Sequence, residues 1–208
     1  QNRIWVGTIG GISIIKDDKF FSFDLTQYGF STNEIQCIAE DKNKAVWIAT
    51  LDGLIKMKNN QMISYDEQEG LFDKKTNTLT SDYNGNIWVG TSGGTLYRIN
   101  PDTTVKKPFI EVANSSHLSC NSIYSLLFYD PQMLLCGTDK GMVKISLDEH
   151  KKAKQFFKYD RSNGFIGEEN IQNSIYKDRQ NQVWMGTVKC LTKYNPKLEE
   201  ANTSTPHL

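Results

Sequence analysis

Apolar and polar positions alternate along this chain in short runs, and clusters of Asn, Asp and Gly separate the runs. Residues 34 to 65 show the grammar most clearly. Glu34 to Glu40 predicts a first strand, with β-formers at Ile35, Cys37 and Ile38, and Asp41 to Lys44 follow as a polar turn. Ala45 to Thr50 is a second strand, and Asp52-Gly53 turns the chain into a third, Leu54 to Lys58. Asn59-Asn60 makes the next hairpin and Met62 to Tyr65 the fourth strand. Asn, Asp and Gly supply the positive φ angles that tight hairpins need. No stretch has convincing helical periodicity, and the five prolines fall mostly in loops.

The second-strand pattern recurs. Ile4-Trp5-Val6-Gly7-Thr8 returns as Val46-Trp47-Ile48-Ala49-Thr50, Ile87-Trp88-Val89-Gly90-Thr91 and Val183-Trp184-Met185-Gly186-Thr187, with a degenerate copy at Leu134-Leu135-Cys136-Gly137-Thr138. Counted at the residue before each Thr, the spacings are 42, 41, 47 and 49. Such periods belong to four-stranded propeller blades. The predicted fold is therefore all-β: a partial β-propeller of about five four-stranded antiparallel blades, its terminal blades incomplete. Complete blades are expected at roughly 34–66, 76–112 and 121–160. The Trp strands are apolar on both faces, as expected where one sheet stacks on the next. Trp5, Trp47, Trp88 and Trp184, with Gly7, Gly90, Gly137 and Gly186, are accordingly read as structural residues of the repeat. A residue present in nearly every copy serves the repeat before it serves as a stacking platform for a sugar.

Composition narrows the function classes. Lys plus Arg and Asp plus Glu both number 24, so the formal net charge is zero and no basic field exists to hold a nucleic-acid backbone. No segment approaches the roughly 20 apolar residues of a membrane helix, so no direct membrane insertion is expected of this segment. Cys37, Cys120, Cys136 and Cys190 lack the spacing of a zinc or redox motif and are read as small apolar residues or free thiols. His117, His150 and His207 have no metal-spaced partner, and no GxSxG, HExxH or phosphate loop occurs. Neither a cofactor, a metal nor a catalytic residue is expected.

Asp82-Tyr83-Asn84-Gly85-Asn86-Ile87-Trp88-Val89-Gly90-Thr91-Ser92-Gly93-Gly94 resembles the two-component regulator propeller repeat. A second shared element is Gly29-Phe30-Ser31-Thr32-Asn33-Glu34-Ile35, with a copy at His117 to Ile123. The resemblance spans nearly all of residues 2–196. It implies the periplasmic sensing part of a bacterial hybrid sensor histidine kinase of Bacteroidetes type, a membrane-anchored parent whose relatives frequently respond to glycans. Gly186-Thr187 to Tyr194-Asn195-Pro196 looks like the last repeat before a triple-tyrosine immunoglobulin-like domain. Residues 1–196 are thus expected to be blades of a larger propeller and 197–208 a linker toward that domain. Two departures stand out: Cys190 replaces the turn glycine of Gly11, Gly53, Gly94 and Gly141, and Leu135 replaces the fourth Trp.

In propellers the blade-to-blade links and the turns between second and third strands share one face. There the sequence places Asn33, Glu34, Thr76, Asn77, Asn121, Ser122, Glu168, Glu169 and Asn170, with Asp52, Ser92, Asp139, Lys140 and Lys189 in the turns. Amides and carboxylates suit sugar hydroxyls, because they donate and accept in fixed directions. Asn33, Glu34, Asp52, Asn77, Asn121, Asp139, Lys140, Glu168, Glu169 and Asn170 are the candidate ligand-binding set, for an oligosaccharide. The competing reading makes the Asn residues loop caps. Three functions follow: a sensor propeller with its own ligand, a structural or dimerising propeller without one, and a propeller lyase or glycosidase. The first is preferred, the fragment itself is not expected to be an enzyme, and open terminal blades predict self-association.

Overall fold

The computed structural model describes residues 3–59 and 61–196. Eighteen strands form five antiparallel sheets. The first holds β1 (Arg3–Thr8), β2 (Gly11–Lys16) and β3 (Lys19–Phe23). The second holds β4 (Ile35–Glu40), β5 (Val46–Thr50), β6 (Gly53–Lys58) and β7 (Gln61–Tyr65). The third runs from β8 (Thr76–Ser81) through β9 (Ile87–Thr91) and β10 (Leu96–Ile99) to β11 (Phe109–Ala113). The fourth holds β12 (Ile123–Asp130), β13 (Met133–Thr138), β14 (Gly141–Leu147) and β15 (Ala153–Tyr159). The fifth is β16 (Asn170–Lys177), β17 (Val183–Thr187) and β18 (Leu191–Tyr194). Each sheet is a meander in chain order, which is the arrangement of propeller blades. The three four-stranded sheets fall on the expected blades. Among the described residues, the first sheet lacks the counterpart of β4 and the last that of β7. Among the described residues, helix is confined to one turn, α1 (Ser115–Leu118), and three 3-10 turns. The linker expected at 197–208 lies outside the described residues.

The core lies between sheets. Trp47, Ala49 and Leu54 of the second sheet pack on Leu79, Ile87 and Val89 of the third. Trp88 and Leu96 of the third pack on Leu126, Phe128, Leu134 and Cys136 of the fourth. Leu135 and Met142 meet Val183 and Met185 of the fifth. The Trp face of one blade therefore covers the alternate face of the next, which is why the second strand must be apolar on both sides. Trp47 and Trp88 are fully buried. Trp47 stacks on Tyr65 with centroids 5.5 Å apart, and Phe128 meets Trp88 edge-on at 5.2 Å. Trp5 and Trp184, in the terminal sheets, are only half-buried.

A turn carboxylate locks each of three tryptophans. Asp41 Oδ2 accepts the Trp47 Nε1–H at 2.8 Å while its Oδ1 accepts the N–H groups of Asn43 and Ala45. Asp82 does the same for Trp88 Nε1, Asn84 and Asn86, and Asp178 for Trp184 Nε1, Gln180 and Gln182. One acid thus satisfies a tight turn and a buried indole donor together. The third residue after the acid is left-handed: Lys44 at φ 63°, Gly85 at 79° and Asn181 at 60°. A lysine there carries a Cβ penalty, so Lys44→Gly is expected to raise stability by about 1 kcal/mol. Its exposed ion pair with Glu40 is a small loss. Urea denaturation checks this, and a loss of stability would show that the turn is not strained.

The two departures resolve differently. Thr8, Thr50 and Thr138 hydroxyls donate to the carbonyls of Gly11, Gly53 and Gly141, and Thr187 Oγ1 makes the same bond to Cys190 at 2.7 Å. Those three glycines have φ between 107° and 124°, whereas Cys190 is not among the residues of positive φ. The last turn therefore gives up that conformation and keeps its bond. In the third blade the partner of Thr91 is Thr95, not Gly94, because this turn is one residue longer. Gly94 is thus not the counterpart of the other turn glycines. Leu135 is fully buried in place of a tryptophan, and the turn before it is cut to Pro131-Gln132.

Candidate functional site

Links between blades and turns between second and third strands do share one face. Their backbones bond directly: Gly53 N–H to Lys74 O, Ser92 N–H to Lys75 O, Asp139 N–H to Ser122 O and Val188 N–H to Glu169 O. Each link begins with a capped turn. Asp24, Asp66, Asn114 and Asp160 accept backbone N–H groups two residues on, and Gly29, Gly70, Ser119 and Gly164 end the turns in the left-handed region.

This architecture consumes much of the candidate set. Asn33 accepts the Leu25 N–H and donates to Asp24, both at 2.7 Å. Asp139 accepts the N–H groups of Asn121 and Ser122, and the Asn121 side-chain amide at 2.8 Å. Asp52 takes the Ser31 hydroxyl and pairs with Lys74 at 3.1 Å. Glu168, left-handed at φ 50°, pairs with Arg161 and with Lys189 at 2.7 Å. Asn77 is buried, donating to Ile123 O at 3.1 Å and accepting from Ser92. Asn170 is buried too, and its amide donates to Gly141 O at 2.7 Å. Lys140 and Glu34 are exposed, and their side chains have no bonding partner among the described residues. Glu169 is exposed beside Tyr124. Thr76 is buried, its hydroxyl donating to Thr50 O at 2.9 Å.

Two of these ties carry a pH dependence. The Ser31 hydroxyl and then Lys74 hold the Asp52 carboxyl below the usual range, and Lys189, with Arg161 beyond it, does so for Glu168. A depressed folded pKa gives stability that is full above the unfolded value, about 4, and fades as pH falls through the folded value. Protection from hydrogen exchange at residues 29–34 and 161–169, taken relative to intrinsic exchange at each pH, should therefore fall below about pH 4 while the Trp strands stay protected. A loss of protection between pH 5 and 8 instead would contradict the ion-pair account.

Sequence reasoning missed the inner surface. β4, β8, β12 and β16 are the innermost strands, and they pack side by side. Each is bulged near its start. Ile35 pairs with Thr50 and Cys37 with Ala49, leaving Gln36 extra. Asn77 and Tyr124 are the extra residues of β8 and β12. In β16 the pairs are Asn170 with Thr187 and Ile175 with Met185, so four residues from Ile171 to Ser174 oppose Gly186. Bulges re-aim side chains, and here they aim polar ones inward. The Gln172 amide donates to Gln36 Oε1 at 2.8 Å and to Asn77 O at 2.9 Å, while Asn173 donates to Gln36 O at 2.8 Å. Fifth and second blades thus touch across the axis.

Other chemistry is sparse. Among the described residues no cluster of His, Cys, Asp and Glu could hold a metal ion, and no helix is long and apolar enough to cross a membrane. His117 caps α1 with Asn114 and stacks on Phe156 at 5.6 Å. The four cysteines are free thiols, and burial pushes the Cys120 thiol up to about 11, which keeps it protonated and inert. A cavity of about 120 Å³ lies under the Asn100–Pro108 loop, beside Tyr65 and Ile99, at the outer edge of the second and third sheets.

With this geometry in hand, comparison with known proteins is informative. Residues 29–52, 70–93 and 164–189 match the family described as two component regulator propeller. Three stretches of the chain are thus similar to two component regulator propeller repeats. Each matched stretch begins at a left-handed link glycine (Gly29, Gly70, Gly164) and ends in the turn after the Thr of a Trp strand, so the repeat boundary is the link, not the blade. A curated relative, Histidine kinase P4 of Formosa agariphila, is 24% identical over 127 residues, which are 60% of this chain and 8% of that protein. The fold resembles the extracellular domain assigned to hybrid two component system BT3049 of B. thetaiotaomicron, with TM-score 0.81 and 20% identity over 96% of this chain and 27% of that one. It also resembles the extracellular domain of BT4673 from the same organism (TM-score 0.73, 23% identity, 93% and 26%). Virginiamycin B lyase of Staphylococcus aureus shares the fold at TM-score 0.65 and 15% identity, over 93% of this chain and 66% of that one. The chain therefore spans about a quarter of the two-component extracellular domains and under a tenth of the kinase.

Proposed function

We propose that this chain is a section of the periplasmic sensor propeller of a two-component histidine kinase, and that its link-bearing face reads an oligosaccharide without cleaving it. The observation that carries the reading is the three-fold match to two component regulator propeller repeats, on a fold that superposes on extracellular domains of two-component systems. The kinase relative supports the same direction. Glycan binding draws support from the chemistry of the face, where amides and carboxylates meet in pairs such as Asn33 with Asp24 and Asn121 with Asp139, and where Glu34 and Lys140 stand exposed. Equimolar neutral malto-, cello- and xylo-oligosaccharides of two to six units, incubated with the chain, should bind saturably by calorimetry and be recovered intact by mass spectrometry. Cleavage abolished by one Asp, Glu or His substitution would replace the sensor with an enzyme of the lyase or glycosidase kind.

The terminal sheets support self-association. Ile4 is 62% exposed and Phe20 73% on the first, and Tyr176 is 64% and Leu191 65% on the last. Equivalent faces of the inner sheets are buried by a neighbouring blade. Sedimentation of the chain should give a mass above the 23.7 kDa of one copy. A strict monomer would show that these faces tolerate water.

A further inference from the structure

The bulged inner strands suggest where on the face a ligand is read, an inference that rests on the sensor reading and adds to it. The rim residues are largely spent on each other, as the bonds of Asn33, Asp52, Asn121, Asp139 and Glu168 show. The axial residues are not. Gln36 Nε2, Gln172 Oε1 and Asn173 Oδ1 have no protein partner among the described residues, and each lies on a half-buried or exposed side chain. Tyr124, half-buried, adds a phenol and a ring face at the same level of the neighbouring strand. All four groups are neutral. They offer donors and acceptors in fixed directions, and the only charge beside them is the Glu169 carboxylate that borders Tyr124, an arrangement that suits a neutral hydroxyl-bearing molecule over an anion.

The backbone shows a cost at the same place. One extra residue suffices for the bulges of β4, β8 and β12, but β16 spends four residues against one and holds Asn173 at φ 55°. An irregular ladder with a left-handed asparagine persists where surrounding contacts hold it: here the Ser174 hydroxyl ties the bulge to Ile171 O and Gly186 O from within, Gln172 reaches Asn77 O, and Gln172 and Asn173 both bond Gln36 across the axis. We propose that Gln36, Tyr124, Gln172 and Asn173 form an axial site for a neutral polyhydroxylated ligand, and that the Ile171–Ser174 bulge latches this site in the free protein. Ligand hydroxyls take the place of the Gln172–Gln36 and Asn173–Gln36 bonds. Binding therefore exchanges one set of bonds for another and frees the fifth blade from the second.

The side-chain amide signals of the 208-residue chain test this by NMR. In the free protein, the Gln172 and Asn173 amide protons should exchange more slowly than those of exposed Gln180; equal rates would remove the latch. On titration with the malto-, cello- and xylo-oligosaccharide mixture, the amides of Gln36, Gln172 and Asn173 should shift together. Gln36→Ala should weaken binding at least tenfold, with Lys154→Ala, exposed on the outermost strand of the fourth sheet, unchanged. Asn173→Gly, which keeps the left-handed backbone and removes the amide, should also weaken binding and guards against a misfolded Gln36→Ala. Saturable binding that leaves these amides unmoved would overturn the axial site and leave the sensor reading standing. No shift anywhere, with slow exchange of the latch amides, would overturn the ligand and keep the latch.

Discussion

Trp47→Ala and Trp88→Ala should each destabilise the chain by about 3–5 kcal/mol in chemical denaturation, the usual cost of emptying a core site of this size. Both indoles are fully buried between sheets, so the cavity cannot drain into solvent. Each also leaves a turn carboxylate without its indole donor, Asp41 or Asp82. Trp→Phe separates the two contributions, since it refills most of the volume but not the hydrogen bond, and should fall between wild type and Ala. Trp184→Ala should cost less, because that side chain is half-buried. Equal small losses at all three would mean that the Trp strands do not hold blade to blade.

A similarly large effect is expected from Gly141→Val. Gly141 sits at φ 114°, where an L side chain is strained, and a Cβ there would run into the Tyr159 carbonyl of the neighbouring strand. Strain and overpacking together predict a loss of about 3 kcal/mol or more. Gly90→Val tests the other glycine position of the repeat. A Cβ at Gly90 would lie 2.6 Å from Ile123 Cγ2, on the first residue of the next blade's inner strand. Ala49 at the equivalent point of the second blade shows that a methyl group can be accommodated, so Gly90→Ala should cost less than Gly90→Val. A neutral Gly141→Val would mean that the turn after Thr138 relaxes freely.

The sheets were legible because their signals are local and repeated. An apolar second strand with a Trp, a Gly and a Thr appears at a nearly constant interval, and Asn, Asp and Gly mark each hairpin. The Asp-to-Trp bond was also within reach: Asp41 and Trp47, Asp82 and Trp88, and Asp178 and Trp184 share one spacing. So was the link cap, since Asp24, Asp66 and Asp160 each precede a glycine by a few residues. The bulges were not legible. Register belongs to two strands together, and nothing in Asn170 to Lys177 alone says that four residues oppose Gly186. Nor can sequence tell a spent amide from a free one. Asn77 and Asn121 look alike on paper, yet the first is buried against β12 and the second is an exposed loop residue held by Asp139.

Hydrogen–deuterium exchange of the whole chain, read by mass spectrometry, tests the blade account most directly. The strands Val46–Thr50, Ile87–Thr91 and Met133–Thr138, flanked by neighbours on both faces, should exchange slowest. Arg3–Thr8 and Leu191–Tyr194, each with an open edge among the described residues, should exchange faster, and the turns at 41–45, 82–86 and 178–182 faster than the strands that they join. Protection that ignores this five-fold alternation, with the three central Trp strands no slower than the terminal ones, would contradict a stack of blades around a common axis.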